Sequence, residues 1–218
     1  MKKIRYFIIS LFLLASCSQS GDLSMDKSAK EFIGNPDYPA ISYGGYREKS
    51  RGQQPTINEI KEDLLIMHAQ GFRVFRTYDL HHPFAENTLK AIREIKQSDS
   101  DFEMYVMLGA WSQCKAAFTE NPIHEEEDLE GNKFEITEAV RLAQEYPDIV
   151  KIIAVGNEAM VHWAWSYHVP PKFVLKWVKH LQDLKVSGDL SNDLWITSSD
   201  NFASWGGGSD DYHNNDLD

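Results

Sequence analysis

The most chemically suggestive stretch of this chain is Val155-Gly156-Asn157-Glu158. A nearly unbroken apolar run, Ile149 to Val155, ends there in a small residue, an amide and a carboxylate. In parallel α/β architectures the C-terminal strand ends form the active face, so a carboxylate there is a candidate acid or base. Walled by apolar groups, such a carboxyl can keep its proton to near neutral pH and deliver it to a leaving group. Asn157 beside it could hydrogen-bond a substrate hydroxyl. Taken alone, the tetrapeptide fits equally well a Glu that caps the loop after the strand.

Aromatic residues supply a second signal. Trp111, Trp163, Trp165 and Trp205 lie just past predicted strands, and Tyr43, Tyr46 and Tyr78 are placed similarly. Sugar rings present apolar C–H faces that stack on flat aromatic rings, so glycan clefts are rich in them. Core packing is the competing reading. It applies to Trp177, on a helical stripe, and to Trp195, near the start of a strand. His81, His82, His162, His168 and His213 are scattered through loops without an HxxxH spacing, and no metal site is predicted from them. The glycine clusters at 44–45 and 206–208 lack the Lys-Ser/Thr of a phosphate loop, and there is no GxSxG elbow, so no cofactor is predicted. Asp200 and Asn201 follow another strand and either line the same face or turn the chain.

The elements that must position these residues alternate. Strands are predicted near 39–46, 72–78, 102–111, 149–155 and 194–198. Between them, Thr56 and Glu59 form a capping box ahead of Ile57, Ile60, Leu64 and Met67 at helical spacing, with Gly71 as a stop. A helix over 85–97 carries Leu89, Ile92 and Ile95; another carries Ile136, Ala139, Val140 and Ala143 and stops near Pro147. Pro170 and Pro171 open a further helix with Phe173, Val174, Trp177, Val178, Leu181 and Leu184 on its stripe. The stretch 112–133 is predicted as a long polar loop, with the acidic run 125–128 as a solvated face. The result is an α/β chain of about five βα units, built on a parallel sheet. Five units are too few to close a (β/α)8 barrel, so a small doubly wound sheet and a barrel cut short both remain open.

The 218 residues are 42% hydrophobic and 25% charged, which excludes disordered and multi-span membrane classes. A formal charge of −11 argues against a nucleic-acid partner, which would need a basic face. Lys2, Lys3 and Arg5 precede the apolar stretch 7–15, too short to span a membrane and typical of a secretory leader. It ends in Leu14-Ala15-Ser16-Cys17, which resembles a bacterial lipobox. Residues 1–16 are therefore expected to be a lipoprotein signal peptide, Cys17 the lipid anchor, 17–31 a polar tether, and 32–218 the folded α/β domain. That makes the chain an exported bacterial lipoprotein held at a membrane, periplasmic or on the cell surface. With Cys17 lipidated, Cys114 has no intrachain partner, and no disulfide framework or CxxC metal knuckle is possible.

SYGGYR at 42–47, FRTYD at 75–79, VGNEAM at 155–160 and ITSSDN at 196–201 arrive in an order and spacing that resemble glycoside hydrolase family 17, in its bacterial β-1,3-glucanase and glucanosyltransferase branch. The resemblance covers roughly 39–216 and implies a (β/α)8 TIM barrel, truncated here to about its first five βα units, acting on β-1,3-glucan with retention of configuration. It implies that Glu158 is the general acid/base, Asn157 its sugar-binding neighbour, and Tyr43 and Tyr78 contacts of the adjacent sugar. Asp200 and Asn201 fall on the rim, while Trp111 and Trp165 are the aromatic candidates. Retention needs a second carboxylate about 5 Å from the first. The family places that nucleophile on a seventh strand, and neither Glu120, Glu125 nor Asp200 is nominated in its stead. The 218-residue sequence is accordingly expected to be the N-terminal part of a hydrolase. Two alternatives stand beside this: a surface lipoprotein that binds β-glucan without cleaving it, and an α/β protein-interaction module.

Overall fold

A computed structural model describes residues 27–205. The predicted leader, Cys17 and most of the tether lie outside the described residues, as does the segment after Trp205. No helix among the described residues is long and apolar enough to cross a membrane.

In chain order the elements are α1 (Ala29–Phe32), β1 (Ala40–Ser42), α2 (Ile57–Ala69), β2 (Val74–Arg76), α3 (Phe84–Ser98), β3 (Tyr105–Ala110), β4 (Cys114–Lys115), β5 (Ile123–Glu127), α4 (Leu129–Glu145), β6 (Val150–Asn157), α5 (Pro171–Ser187), β7 (Trp195–Ser199) and α6 (Phe202–Trp205). Five strands form one parallel sheet in the order β1-β2-β3-β6-β7. Each strand lies beside the one laid down before it, with no reversal of order. A doubly wound sheet has such a reversal at its switch point. Sequential winding is instead how (β/α) barrels are built, and the five strands are consistent with part of such a fold.

Sequence dictates the helices locally. The Thr56 backbone N–H and hydroxyl both donate to the Glu59 carboxylate at 2.8 Å, and Glu59 N–H returns a bond to Thr56 Oγ1, which starts α2. Asp128 caps α4 by accepting Gly131 N–H at 3.1 Å. The apolar stripes of α2 to α5 then bury against one face of the sheet. Ile60, Leu89, Ile136 and Leu181 share a core there with Phe75, Val106, Ile153 and Val155. Strand side chains alternate, so Val74, Tyr105 and Ile152 point to the other face. Lys151 interrupts this alternation. It occupies the register shift between β3 and β6, and its ammonium donates to Pro147 O at 2.7 Å.

Three expectations are revised. The tether does not extend to residue 31: Ser28 N–H donates to the Glu31 carboxylate at 2.7 Å, and the short α1 that follows buries Ala29 and Phe32. Phe32 stacks on Tyr105 at 4.8 Å between ring centres and covers the sheet face that carries Val74, Tyr105 and Ile152. The loop 112–133 contains the antiparallel pair β4–β5 and the first turn of α4. Within its acidic run, Glu127 accepts Trp177 Nε1–H at 2.9 Å, so that carboxylate anchors the hairpin to α5 instead of facing water. Trp195 is not core: it is 41% exposed on β7, an edge of the sheet. At the opposite edge all three residues of β1 are exposed. Among the described residues no further strand pairs with either edge.

Phe32→Ala removes a ring packed against Tyr105, Val74 and Ile152, and is expected to destabilise the fold by about 3 kcal/mol in denaturant unfolding. An unchanged midpoint would show that the 28–32 segment is not part of the cooperative unit.

Candidate active site

The site is assembled from the C-terminal ends of β2, β3, β6 and β7. Gly156, at φ +78°, turns the end of β6, and Glu158 follows at φ +49°, a region that non-glycine residues enter at a cost of order 1 kcal/mol. What holds Glu158 there is its own N–H, which donates to Ser199 O at 2.8 Å at the end of β7. Beside it, Asn157 Oδ1 and Ser198 Oγ are buried without hydrogen-bond partners. Such groups are costly unless something polar reaches them.

Arg76, at the end of β2, reaches across to donate to Ser199 Oγ, and its guanidinium lies 5.0 Å from the centre of the Tyr78 ring. Tyr78 is half-buried beneath it. Asp200 is also half-buried, with burial pushing its carboxyl up from the usual range. Both of its oxygens accept backbone N–H groups, from Met160 at 2.9 Å and Asn201 at 2.8 Å. It therefore staples the loop after β6 to the end of β7, and Asn201 follows it on the rim.

Tyr167 was not singled out in the sequence, although it sits in the aromatic-rich segment 162–168 from which Trp163 and Trp165 were drawn. Burial first, then the charges of Glu158 and Asp200, push its phenol up to about 12. Its ring packs against Trp111 at 4.9 Å and Phe118 at 5.5 Å, and Trp111 and Phe118 lie 6.4 Å apart and nearly parallel. Phe118, at the tip of the β4–β5 hairpin, is 63% exposed, and its N–H donates to Ser166 O at 2.7 Å. The three rings make an aromatic wall beside a cavity of about 370 Å³ lined by Trp111, Gln113, Phe118, Asn132 and Phe134. Trp111 is oriented by Nε1–H to Gln113 Oε1 at 3.0 Å.

Two nominated residues stand elsewhere. Tyr43 is buried, packed between Phe75 and Phe84, with its hydroxyl donating to Asp63 at 2.9 Å. It packs as a core residue and offers a ligand little surface. Trp165 is exposed, but its ring contact is His124 at 6.0 Å, not the aromatic wall.

Sequence reasoning also missed Glu135, on the apolar side of α4. Its buried carboxylate accepts the N–H groups of Leu80 (2.9 Å), His81 (2.8 Å) and Trp111 (2.8 Å), so it locks the ends of both β2 and β3. A glutamate inside an apolar helical stripe was the available signal. Nearby, Asp79, His81 and His82 bring metal-type donor atoms within 4.8 Å of one another. Three further histidines gather behind Trp165. His124 and His168 stack at 3.7 Å, and His162 lies 5.4 Å from His168.

No protein-family model and no curated protein matches the chain. Among solved structures it is similar to the crystal structure of an endo-laminarinase from Formosa Hel1_33_131, with a TM-score of 0.83 and 61% identity. The match covers 88% of this chain and 49% of that one, so this chain spans about half the length of the structure it resembles.

Burial, then the neighbouring His124 and His162, hold His168 down to about 4. The folded state keeps this ring neutral where the unfolded chain would protonate it. Its contribution to stability is complete above about pH 6.5 and is lost as pH falls toward 4. Denaturant midpoints at pH 7 and pH 4.5 are therefore expected to fall further apart in the wild type than in His168→Gln. Equal falls in the two proteins would contradict this.

Proposed function

We propose that this chain carries the acid/base side of a retaining β-1,3-glucan hydrolase site of the glycoside hydrolase family 17 type, with Glu158 as proton donor. The observation that carries the reading is Glu158 itself. It is held at positive φ at the end of a fully buried strand, beside an amide oxygen with no partner, in a chain 61% identical to an endo-laminarinase over the matched region. In this reading Glu158 protonates the glycosidic oxygen and later takes a proton from the attacking water. Asn157 holds a hydroxyl of the sugar whose bond is cleaved. Trp111, Tyr167 and Phe118 stack against glucose rings, and Arg76 and Tyr78 shape the floor.

Retention also requires a nucleophilic carboxylate about 5 Å away. Asp200 is a poor source, since both its oxygens are engaged by backbone N–H groups. We infer that the nucleophile belongs to structure outside the described residues that covers the edges at β1 and β7 and completes a barrel. A non-catalytic β-glucan-binding role is the second reading, favoured by the same engagement of Asp200. We also propose that Cys17 carries a lipid that anchors the domain at a membrane.

Calorimetric titration with laminarin is expected to show binding that Trp111→Ala weakens about tenfold, the loss of roughly 1.4 kcal/mol of stacking. With the covering half supplied, Glu158→Gln is expected to lower reducing-sugar release by at least about 10²-fold while leaving laminarin affinity intact. Cleavage by Glu158→Gln at the wild-type rate, or no laminarin affinity at all, would overturn the assignment.

A further inference from the structure

We propose that Asp79, His81 and His82, in the loop joining β2 to α3, form a binding site for a divalent transition ion of the zinc class at the edge of the aromatic-walled cavity. The site is separate from the Glu158 chemistry and does not depend on it.

The geometry is that of a convergent donor set. His82 Nδ1 lies 3.0 Å from Asp79 Oδ1, and His81 Nδ1 lies 3.5 Å from the same oxygen. The two imidazoles are 4.1 Å apart between centres and tilted by 50°, so both ring nitrogens face one carboxylate oxygen without the rings stacking flat. Bond lengths of about 2.0–2.1 Å to a tetrahedral ion place donor atoms roughly 3.4 Å from one another. An ion can therefore take the centre of this group with only small side-chain adjustment. Two imidazoles and one carboxylate suit a borderline ion such as Zn²⁺ and disfavour Mg²⁺ or Ca²⁺, which take oxygen ligands.

The scaffold around the donors is already rigid, which reduces the cost of ordering them. Glu135, 4% exposed at its side chain, accepts the N–H groups of Leu80 and His81 and lies 3.0 Å from His81 Nδ1. It meets the same nitrogen that faces Asp79, so it holds that nitrogen in the donor cluster until an ion displaces the contact. Asp79 is nine-tenths buried, whereas His81 is half exposed at its side chain, giving the ion a route in. Asp79, His81 and His82 all line the cavity beside Trp111, so a coordination position left open by three protein ligands would face it. Sequence reading set these histidines aside for lack of helical i, i+4 spacing. Adjacent histidines in a loop converge only because Glu135 pins the backbone between them and β2.

The test uses the untagged chain, stripped of metal with a chelator and titrated with Zn²⁺ or Co²⁺ alone. Calorimetry is expected to show about one equivalent bound at roughly 10 µM protein, and Co²⁺ to give the visible absorption of a low-coordinate N/O site. His82→Ala and Asp79→Asn are expected to weaken binding at least tenfold, while His168→Ala leaves it unchanged. In the wild type, independently of any variant, the imidazole nitrogen resonances of His81 and His82 should be the ones that shift with Zn²⁺. Absence of binding would overturn the proposal. So would binding that survives His82→Ala but is lost with His168→Ala, or resonance shifts confined to His124, His162 and His168.

Discussion

Three backbone N–H groups converging on the buried carboxylate of Glu135 hold together the half of the site built from β2 and β3. Leu80 and His81 leave β2, Trp111 leaves β3, and α4 contributes the acceptor. Each N–H would otherwise be a donor at a buried or half-buried strand end, worth about 1–3 kcal/mol if left unpaired. By using one carboxylate for all three, the fold fixes where the aromatic wall stands relative to the loop carrying Asp79. The walls of the cavity are consequently set from beneath, by the helical layer, and not by loop-to-loop contacts that a ligand would have to organise.

The other half rests on the junction of β6 and β7. Glu158 leaves the regular strand through two positive-φ residues, and its N–H is captured by Ser199. Asp200, one residue further along, returns the favour by holding Met160 and Asn201. The side chains of Glu158 and Asn157 are thus presented by a turn that β7 stabilises, and Arg76 ties the same serine back to β2 across the sheet. Burial and the charges of Glu158 and Asp200 raise the Tyr167 phenol to about 12, and its ring packs on Trp111 and Phe118. An amide oxygen without a partner and a positive-φ backbone thus meet at one sheet end.

Much of this was legible in the residues. The capping box at Thr56, the proline-opened α5 and the all-apolar β6 are local signals, and each element formed where its signal lies. Tyr78, Trp111, Glu158 and Asp200 all lie just past the C-terminal ends of parallel strands, at one end of the sheet. What stayed hidden depends on long-range pairing. Tyr43 carries the same strand-end signature as Tyr78, yet its hydroxyl finds Asp63, twenty residues on in α2. The hairpin at 114–127 was concealed by its charge, because Glu127 and Asp128 act as specific acceptors for Trp177 and Gly131. Docking of α1 could not be seen in a polar stretch whose apolar contribution is Ala29 and Phe32.

The central claim, that the β6–β7 end of the sheet recognises a β-1,3-linked glucose chain, is tested most directly by mapping a laminari-oligosaccharide onto the protein through backbone and side-chain amide chemical shifts. The account predicts perturbations that begin at Asn157 and Glu158 and extend through Tyr167 to Trp111, with the Asn157 side-chain amide among the largest and Tyr43 unaffected. Perturbations confined to the opposite end of the sheet, around α1 and Lys151, or none at saturating sugar, would contradict it.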